Sequence, residues 1–92
     1  MMNMNISRPY GSSVSVSWND IRSDPSQRYI LEGQQADFSY VPVVRSESPS
    51  ISLDDRRLGG FIGLRAILIC TDGGREIPCK CAGCATLVSD AS

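Results

Sequence analysis

Histidine is absent from this 92-residue sequence, and its absence excludes a broad class of chemistry. Imidazole is the commonest general base, the usual partner of serine and cysteine nucleophiles, and a common metal ligand. Acids remain, since Asp54 and Asp55 are adjacent, while Asp20 and Asp24 share a predicted loop. Neighbouring residues of a strand point to opposite faces, however, and acids in loops are normally solvated. We therefore expect a protein without enzymatic activity and without a cofactor.

Clustered positive charge is also missing. The sequence contains nine basic and ten acidic residues, and Arg56 and Arg57 are the only two basic residues that are adjacent. Because proteins that bind phosphate backbones normally concentrate Lys and Arg on one surface, nucleic acid is not an expected partner. The longest apolar run, residues 61–70, contains Arg65 and has about half the length of a membrane span. A membrane is therefore not an expected partner either.

The four cysteines, Cys70, Cys79, Cys81 and Cys84, carry the sharpest local signal. The start of the chain, MMNMNISRPYGSS, lacks the basic and apolar segments of a secretory leader, so we expect an intracellular protein. Thiols stay reduced there, which favours free cysteines, with disulfides as an alternative. A structural zinc site is a second alternative, with Cys79, Cys81 and Cys84 as ligands and Cys70 as the fourth. Cys70 also fits the pattern of a small apolar core residue.

Apolar and polar residues alternate in short runs, which is typical of β-strands with one buried face. In SSVSVSW, residues 12–18, the alternation places Val14, Val16 and Trp18 on one face, so Trp18 is predicted to fill the core. Pro42 cannot donate a backbone hydrogen bond, which predicts that the strand containing it lies at a sheet edge. Further strands are predicted at residues 28–34 (RYILEGQ), 38–44 (FSYVPVV) and 50–53 (SISL).

The longest predicted strand covers residues 61–70, where Leu64, Ala66 and Leu68 share one face. It is expected to be central in its sheet. The following TDGGRE contains Asp-Gly and Gly-Gly pairs, which are typical of a hairpin loop with positive φ angles. The returning strand begins near residues 77–78, and either residues 79–81 or residues 85–88 continue it.

Six or seven short strands spaced about ten residues apart indicate an all-β, antiparallel sandwich of two sheets. We expect one such domain over residues 10–88. Residues 1–9 and 89–92 are expected to be flexible ends.

Four stretches occur along the chain in this order: VSVSW, RYILEGQ, FSYVPV and SISLDDRRLGGFIGLRAILICTDGGRE. Their order resembles that of a fibronectin type III domain, a family with an immunoglobulin-like fold, over about residues 10–80. The resemblance implies a sandwich that mediates protein contacts or spaces neighbouring domains. Gly60 stands where the family usually has a tyrosine that ties the sixth strand to the preceding turn, and the family's Pro-Gly turn is replaced by residues 58–60.

The sequence therefore predicts a non-catalytic interaction or spacer module of a larger protein, whose partners are proteins or neighbouring domains. The candidate binding loop consists of Asp72, Gly73, Gly74 and Arg75, because loops at the ends of a sandwich carry recognition and this one combines both charges. A plain hairpin turn is the alternative for these residues, and the edge strand at residues 38–44 is a second possible surface. Alternative functions are a zinc-stabilised domain and a carbohydrate-binding sandwich, which would require exposed aromatic residues such as Tyr10, Tyr29 or Tyr40.

Overall fold

A computed structural model describes residues 4–87, which form seven β-strands and one short 3-10 helix. All strand pairs are antiparallel, so the predicted all-β architecture of two antiparallel sheets is confirmed. Within the described part of the chain, no helix is long and apolar enough to cross a membrane. The elements are β1 (Asn5–Tyr10), β2 (Ser13–Ser17), β3 (Arg28–Gln34), β4 (Tyr40–Ser46), β5 (Ser50–Asp54), the 3-10 helix Asp55–Leu58, β6 (Gly63–Asp72) and β7 (Arg75–Thr86).

The strands form one sheet in the order β1-β2-β5 and a second in the order β4-β3-β6-β7. The strand that contains Pro42 is β4, which lies at an edge of the second sheet, as predicted. The longest predicted strand is β6, which lies between β3 and β7. The edge prediction follows from hydrogen bonding, because an edge strand tolerates a residue without an N–H and a central strand does not.

Side chains from the inner faces of the two sheets pack together as the core. Trp18, which is 7% exposed, contacts the ring of Tyr29 edge to face, with 5.4 Å between ring centroids. This confirms the prediction that Trp18 fills the core, since the alternation in β2 directs Val14 and Val16 inward beside it. The buried core residues are Met4, Val14, Val16, Trp18, Tyr29, Leu31, Leu58, Leu64, Ala66, Leu68 and Ala82.

The sandwich begins earlier than the sequence indicated. Residues 1–9 were expected to form a flexible end, whereas β1 covers Asn5–Tyr10 and pairs with β2 through Asn5–Ser17 and Ile6–Val16. Met4 is 7% exposed, and Ile6 packs against the core. Little apolar alternation marks this strand, because it contributes few inward side chains. Residues 1–3 and 88–92, including the predicted flexible tail at 89–92, lie outside the described residues.

The returning strand β7 is continuous, which resolves the two alternatives left by the sequence. Its pairing with β6 shifts register twice, and the extra residues are Cys79 and Ala82. Each bulge reverses the inward and outward alternation that follows it, which explains why no single period of two was visible. Ala82 is fully buried as a result.

Candidate functional site

The hairpin that joins β6 and β7 projects beyond its sheet. Pairing between β3 and β6 ends at Arg28 and Ile69, whereas pairing between β6 and β7 continues through Cys70–Ile77 to Asp72–Arg75. Residues 70–77 therefore form a two-stranded ribbon, which we call the projecting hairpin. Every residue from 71 to 80 is exposed.

The tip of the projecting hairpin contains the predicted binding residues Asp72, Gly73, Gly74 and Arg75. Gly73 and Gly74 have φ angles of 60° and 83°, and positive φ at both central residues is typical of a type I′ turn. Asp72 and Arg75 flank this turn as cross-strand neighbours. Within residues 4–87, the ion pairs involve neither of the two. The turn thus presents one acid and one base to solvent.

A disulfide between Cys70 and Cys79 closes the base of the projecting hairpin, with 5.5 Å between the Cα atoms. Cys70 packs against the core, and Cys79 is the extra residue of the first β7 bulge. Isolated two-stranded hairpins are only marginally stable in water, so the cross-link holds the ribbon in place. The sequence-based expectation of free thiols is corrected for these two cysteines, while Cys81 and Cys84 are free and exposed.

The disulfide also bears on the alternative zinc site. Zinc binds thiolates, and neither Cys70 nor Cys79 carries one while the two are paired. Cys81 and Cys84 remain, and no group of three or more potential ligands occurs among residues 4–87. The four-cysteine site is therefore incompatible with this pairing.

An ion pair across the outer face of the sheet holds the same hairpin. Arg45 of edge strand β4 donates from Nη1 to Glu76 Oε1 at 2.9 Å. Strands β4 and β7 are the two edges of this sheet, so the ion pair connects its edge strands. The Arg45 hydrogen bonds lower the pKa of Glu76 from its ordinary value. Both side chains are about half exposed, which makes this pair a weak restraint compared with the disulfide.

The loop of residues 19–27 lies beside the projecting hairpin and is itself well ordered by hydrogen bonds. Asp20 accepts from Arg22 Nη2 at 2.9 Å and from the Tyr29 hydroxyl at 2.8 Å. These bonds, the Arg22 ones foremost, hold the pKa of Asp20 well below its usual range. The Tyr29 hydroxyl also accepts the Ile21 N–H at 2.8 Å, while burial raises the pKa of Tyr29.

Two contacts connect this loop with its neighbours at the same end of the sandwich. Arg22 Nη1 donates to the Glu47 carbonyl at 2.8 Å, which reaches the turn between β4 and β5. Gln27 Nε2 lies 3.6 Å from Cys70 Sγ, at the base of the projecting hairpin. These contacts therefore connect the loop of residues 19–27 to the turn between β4 and β5 and to the base of the projecting hairpin.

Of the three aromatic residues named for carbohydrate binding, the two whose side chains the structure describes, Tyr29 and Tyr40, do not form an exposed platform. Tyr29 is fully buried, which corrects the expectation that it is available for stacking. The Arg65 guanidinium lies 3.6 Å from the centroid of the Tyr40 ring and covers one of its faces. Arg65 is held there by Glu32, whose Oε1 accepts from Nε at 2.6 Å. The Tyr10 side chain lies outside the described parts of the chain.

The β4 edge is poorly suited to accept another strand. Pro42 offers no N–H, and the register with β3 shifts at Val43, the extra residue of a bulge. The Val43 carbonyl already accepts from Arg57 Nη2 at 2.6 Å. The second surface suggested by the sequence is thus opposed by a proline, a bulge and an occupied carbonyl.

The sequence patterns indicated disulfides only as an alternative to free thiols, although Cys70 and Cys79 flank the predicted hairpin. A second feature, the exposed Phe38, was not predicted at all. Phe38 is 71% exposed and has a φ angle of 71°, and no composition or spacing signal marks it. Comparison of the chain with protein-family models, with curated proteins and with solved structures finds no match. The function is therefore inferred from geometry alone.

Proposed function

We propose that this protein is a non-catalytic interaction or spacer module of a larger protein, and that the projecting hairpin contacts the protein partner. The observation that carries the proposal is the projecting hairpin, whose residues 71–77 are exposed and whose base is closed by the Cys70–Cys79 disulfide. A recognition loop held rigidly before binding loses less conformational entropy when it binds. The ribbon has this property, since the cross-link and the glycine turn limit its conformations.

The strand order supports a fibronectin type III-like identity for the module. Sheets ordered β1-β2-β5 and β4-β3-β6-β7 are similar to the two sheets of that family. In such a sandwich the connections at each end present side chains without contributing to the core. Gly60, where the family usually has a tyrosine, has a φ angle of 89° and marks this chain as a departure from the family pattern.

The disulfide supports a cellular location different from the intracellular one expected from the sequence. Disulfides persist in oxidising compartments and are rare where glutathione keeps thiols reduced. The Cys70–Cys79 bond therefore favours an oxidising environment over an intracellular reducing one. It also disfavours the zinc-stabilised alternative, because the two functions need opposite oxidation states of the same cysteines.

The proposal is tested by capturing partners on the immobilised domain and on an Asp72→Ala/Arg75→Ala variant. We expect the variant to lose the specific partner and to melt at the same temperature as the wild type, because both side chains are exposed. The matched control is Arg8→Ala/Asp55→Ala, which removes one exposed ion pair from the other sheet. The control should capture the same partner as the wild type. Equal capture by the hairpin variant and the wild type would remove the hairpin from consideration.

A further inference from the structure

At the end of the sandwich opposite the projecting hairpin, one large apolar side chain stands in solvent. Phe38 lies in the loop of residues 35–39 between β3 and β4 and is 71% exposed. Its φ angle of 71° is the only positive value of a non-glycine residue within residues 4–87. Bulky residues rarely adopt this conformation, and strained conformations cluster at functional positions.

The loop holds Phe38 in this conformation by short-range hydrogen bonds. The Phe38 N–H donates to the Gln35 carbonyl and the Gln35 N–H to the Ser39 carbonyl, both at 2.8 Å. The Ser39 N–H and hydroxyl both donate to Asp37 Oδ1. The exposed ring is therefore carried by a fixed loop.

A shallow cavity of about 590 Å³ adjoins the same loop, and its lining includes Asp37, the residue before Phe38. Phe61 forms one wall, and its ring lies so close to Gly33 that a Cβ there would be 2.6 Å from the ring atoms. Gly59 and Gly60, which have no side chains, line a further part of the cavity. The cavity is lined by Gln35, Ala36, Asp37, Gly59, Gly60 and Phe61.

We propose that this end of the sandwich binds the same end of a second copy of the chain, with each Phe38 seated in the cavity of the other copy. A two-fold interface requires a surface that carries both halves of the contact. Phe38 directly follows Asp37 of the cavity wall, so knob and cavity lie side by side. Large side chains seated in well-packed pockets, aromatic ones among them, supply much of the binding energy at interfaces.

The size of this end determines how strong the association can be. The two shorter dimensions of the molecule are 29 and 25 Å, and an ellipse with these axes covers about 570 Å². A flat contact across this whole end would bury about 1,100 Å² in two copies, close to the roughly 1,000 Å² that a specific contact needs and below the usual value of about 1,600 Å². The dimer is therefore weak and depends on protein concentration.

Sedimentation equilibrium between about 10 µM and 1 mM tests the proposal, a range suited to weak complexes. The measurement uses a Cys81→Ser/Cys84→Ser background, because the two exposed thiols can otherwise cross-link copies. We expect the average mass to rise with concentration from one chain toward two. In the same background, Phe38→Asn should remain a monomer throughout, and it should stay folded because asparagine tolerates positive φ.

The matched control is Ile77→Asn, since Ile77 is the other exposed large hydrophobic residue of the described chain and lies in the projecting hairpin. It should dimerise like the background protein. A background protein that is monomeric at every concentration would overturn the proposal, as would equal dimerisation of Phe38→Asn. A mass that rises beyond two chains would also overturn it, since a two-fold contact closes at two.

Discussion

Replacing Tyr29 with phenylalanine removes one oxygen atom from a fully buried side chain and leaves its ring against Trp18. The oxygen donates to Asp20 Oδ1 and accepts from the Ile21 N–H, both at 2.8 Å. Both partners belong to the loop beside the projecting hairpin. The substitution therefore tests whether this hydroxyl ties the loop to the core.

The expected loss of stability follows from these two bonds. A neutral hydrogen bond contributes about 0.5–1.5 kcal/mol, and a bond to a charged group contributes about 1.5–3 kcal/mol. Asp20 keeps its bonds to Arg22 and is 45% exposed, so water replaces part of what it loses. The Ile21 N–H is half-buried and has no such substitute. We expect a decrease of about 2 kcal/mol in the free energy of unfolding and of roughly 8–16 °C in Tm.

The same variant has a predicted pH dependence. The pKa of Asp20 is lowered from 3.8 in the folded state, so its contribution to stability is fully present above that value and is lost as pH falls below it. The Tyr29 hydroxyl is one cause of the lowered pKa. The difference in stability between wild type and Tyr29→Phe should therefore be largest near neutral pH and should shrink below about pH 4.

Urea unfolding at neutral and acidic pH measures both quantities. Tyr40→Phe is the matched control, because its ring lies under the Arg65 guanidinium and its hydroxyl makes no hydrogen bond to a described residue. The control should unfold like the wild type. A Tyr29→Phe variant as stable as Tyr40→Phe, or a stability difference that does not change with pH, would refute the role assigned to the hydroxyl.

Two further predictions concern the core and the hairpin. Trp18→Ala should lower the free energy of unfolding by about 3–5 kcal/mol, a large part of the about 5–15 kcal/mol typical of a domain. Thermal unfolding should therefore begin at a much lower temperature, and unchanged melting would contradict the core position of Trp18. Cys70→Ser/Cys79→Ser opens a cross-link between cysteines nine residues apart, worth about 2.7 kcal/mol by loop entropy. The whole domain should lose stability, and hydrogen exchange should accelerate more in residues 70–80 than in β3, because the hairpin also opens locally; equal acceleration in the two segments would contradict a local role of the disulfide.

Sequence patterns predicted the elements whose side chains alternate regularly. Val14 and Val16 lie on the inner face of β2, with Trp18 directly after the strand, and Leu64, Ala66 and Leu68 lie on the inner face of β6. Each strand faces the core on one side only. Pro42 marked an edge strand because its missing N–H is a local property. The turn at Gly73 and Gly74 was likewise visible, since its positive φ angles demand glycine.

The features that escaped prediction depend on distant partners or on interrupted periods. Cys79 and Ala82 each add a residue to β7, so its alternation changes phase twice. Strand β1 exists because β2 offers it a hydrogen-bonding edge, and its own sequence contains Pro9 and few apolar residues. Phe38 is held in positive φ by its neighbours in the loop, a requirement that the residue type itself argues against.

The positions of the two proposed contacts explain why their chemistry was hard to infer. The projecting hairpin begins after Ile69 of β6, which pairs with Arg28 at one end of β3. The Phe38 loop follows Gln34 at the other end of β3. Apart from Cys70 at the base of the hairpin, neither surface contributes side chains to the packing between the sheets. Their residues can therefore change without unfolding the sandwich, whereas Tyr29, Leu31 and Leu64 cannot. Folding requirements thus leave a clear apolar pattern in the core, whereas at the ends they mark the turn at Gly73 and Gly74 but not the surfaces around it.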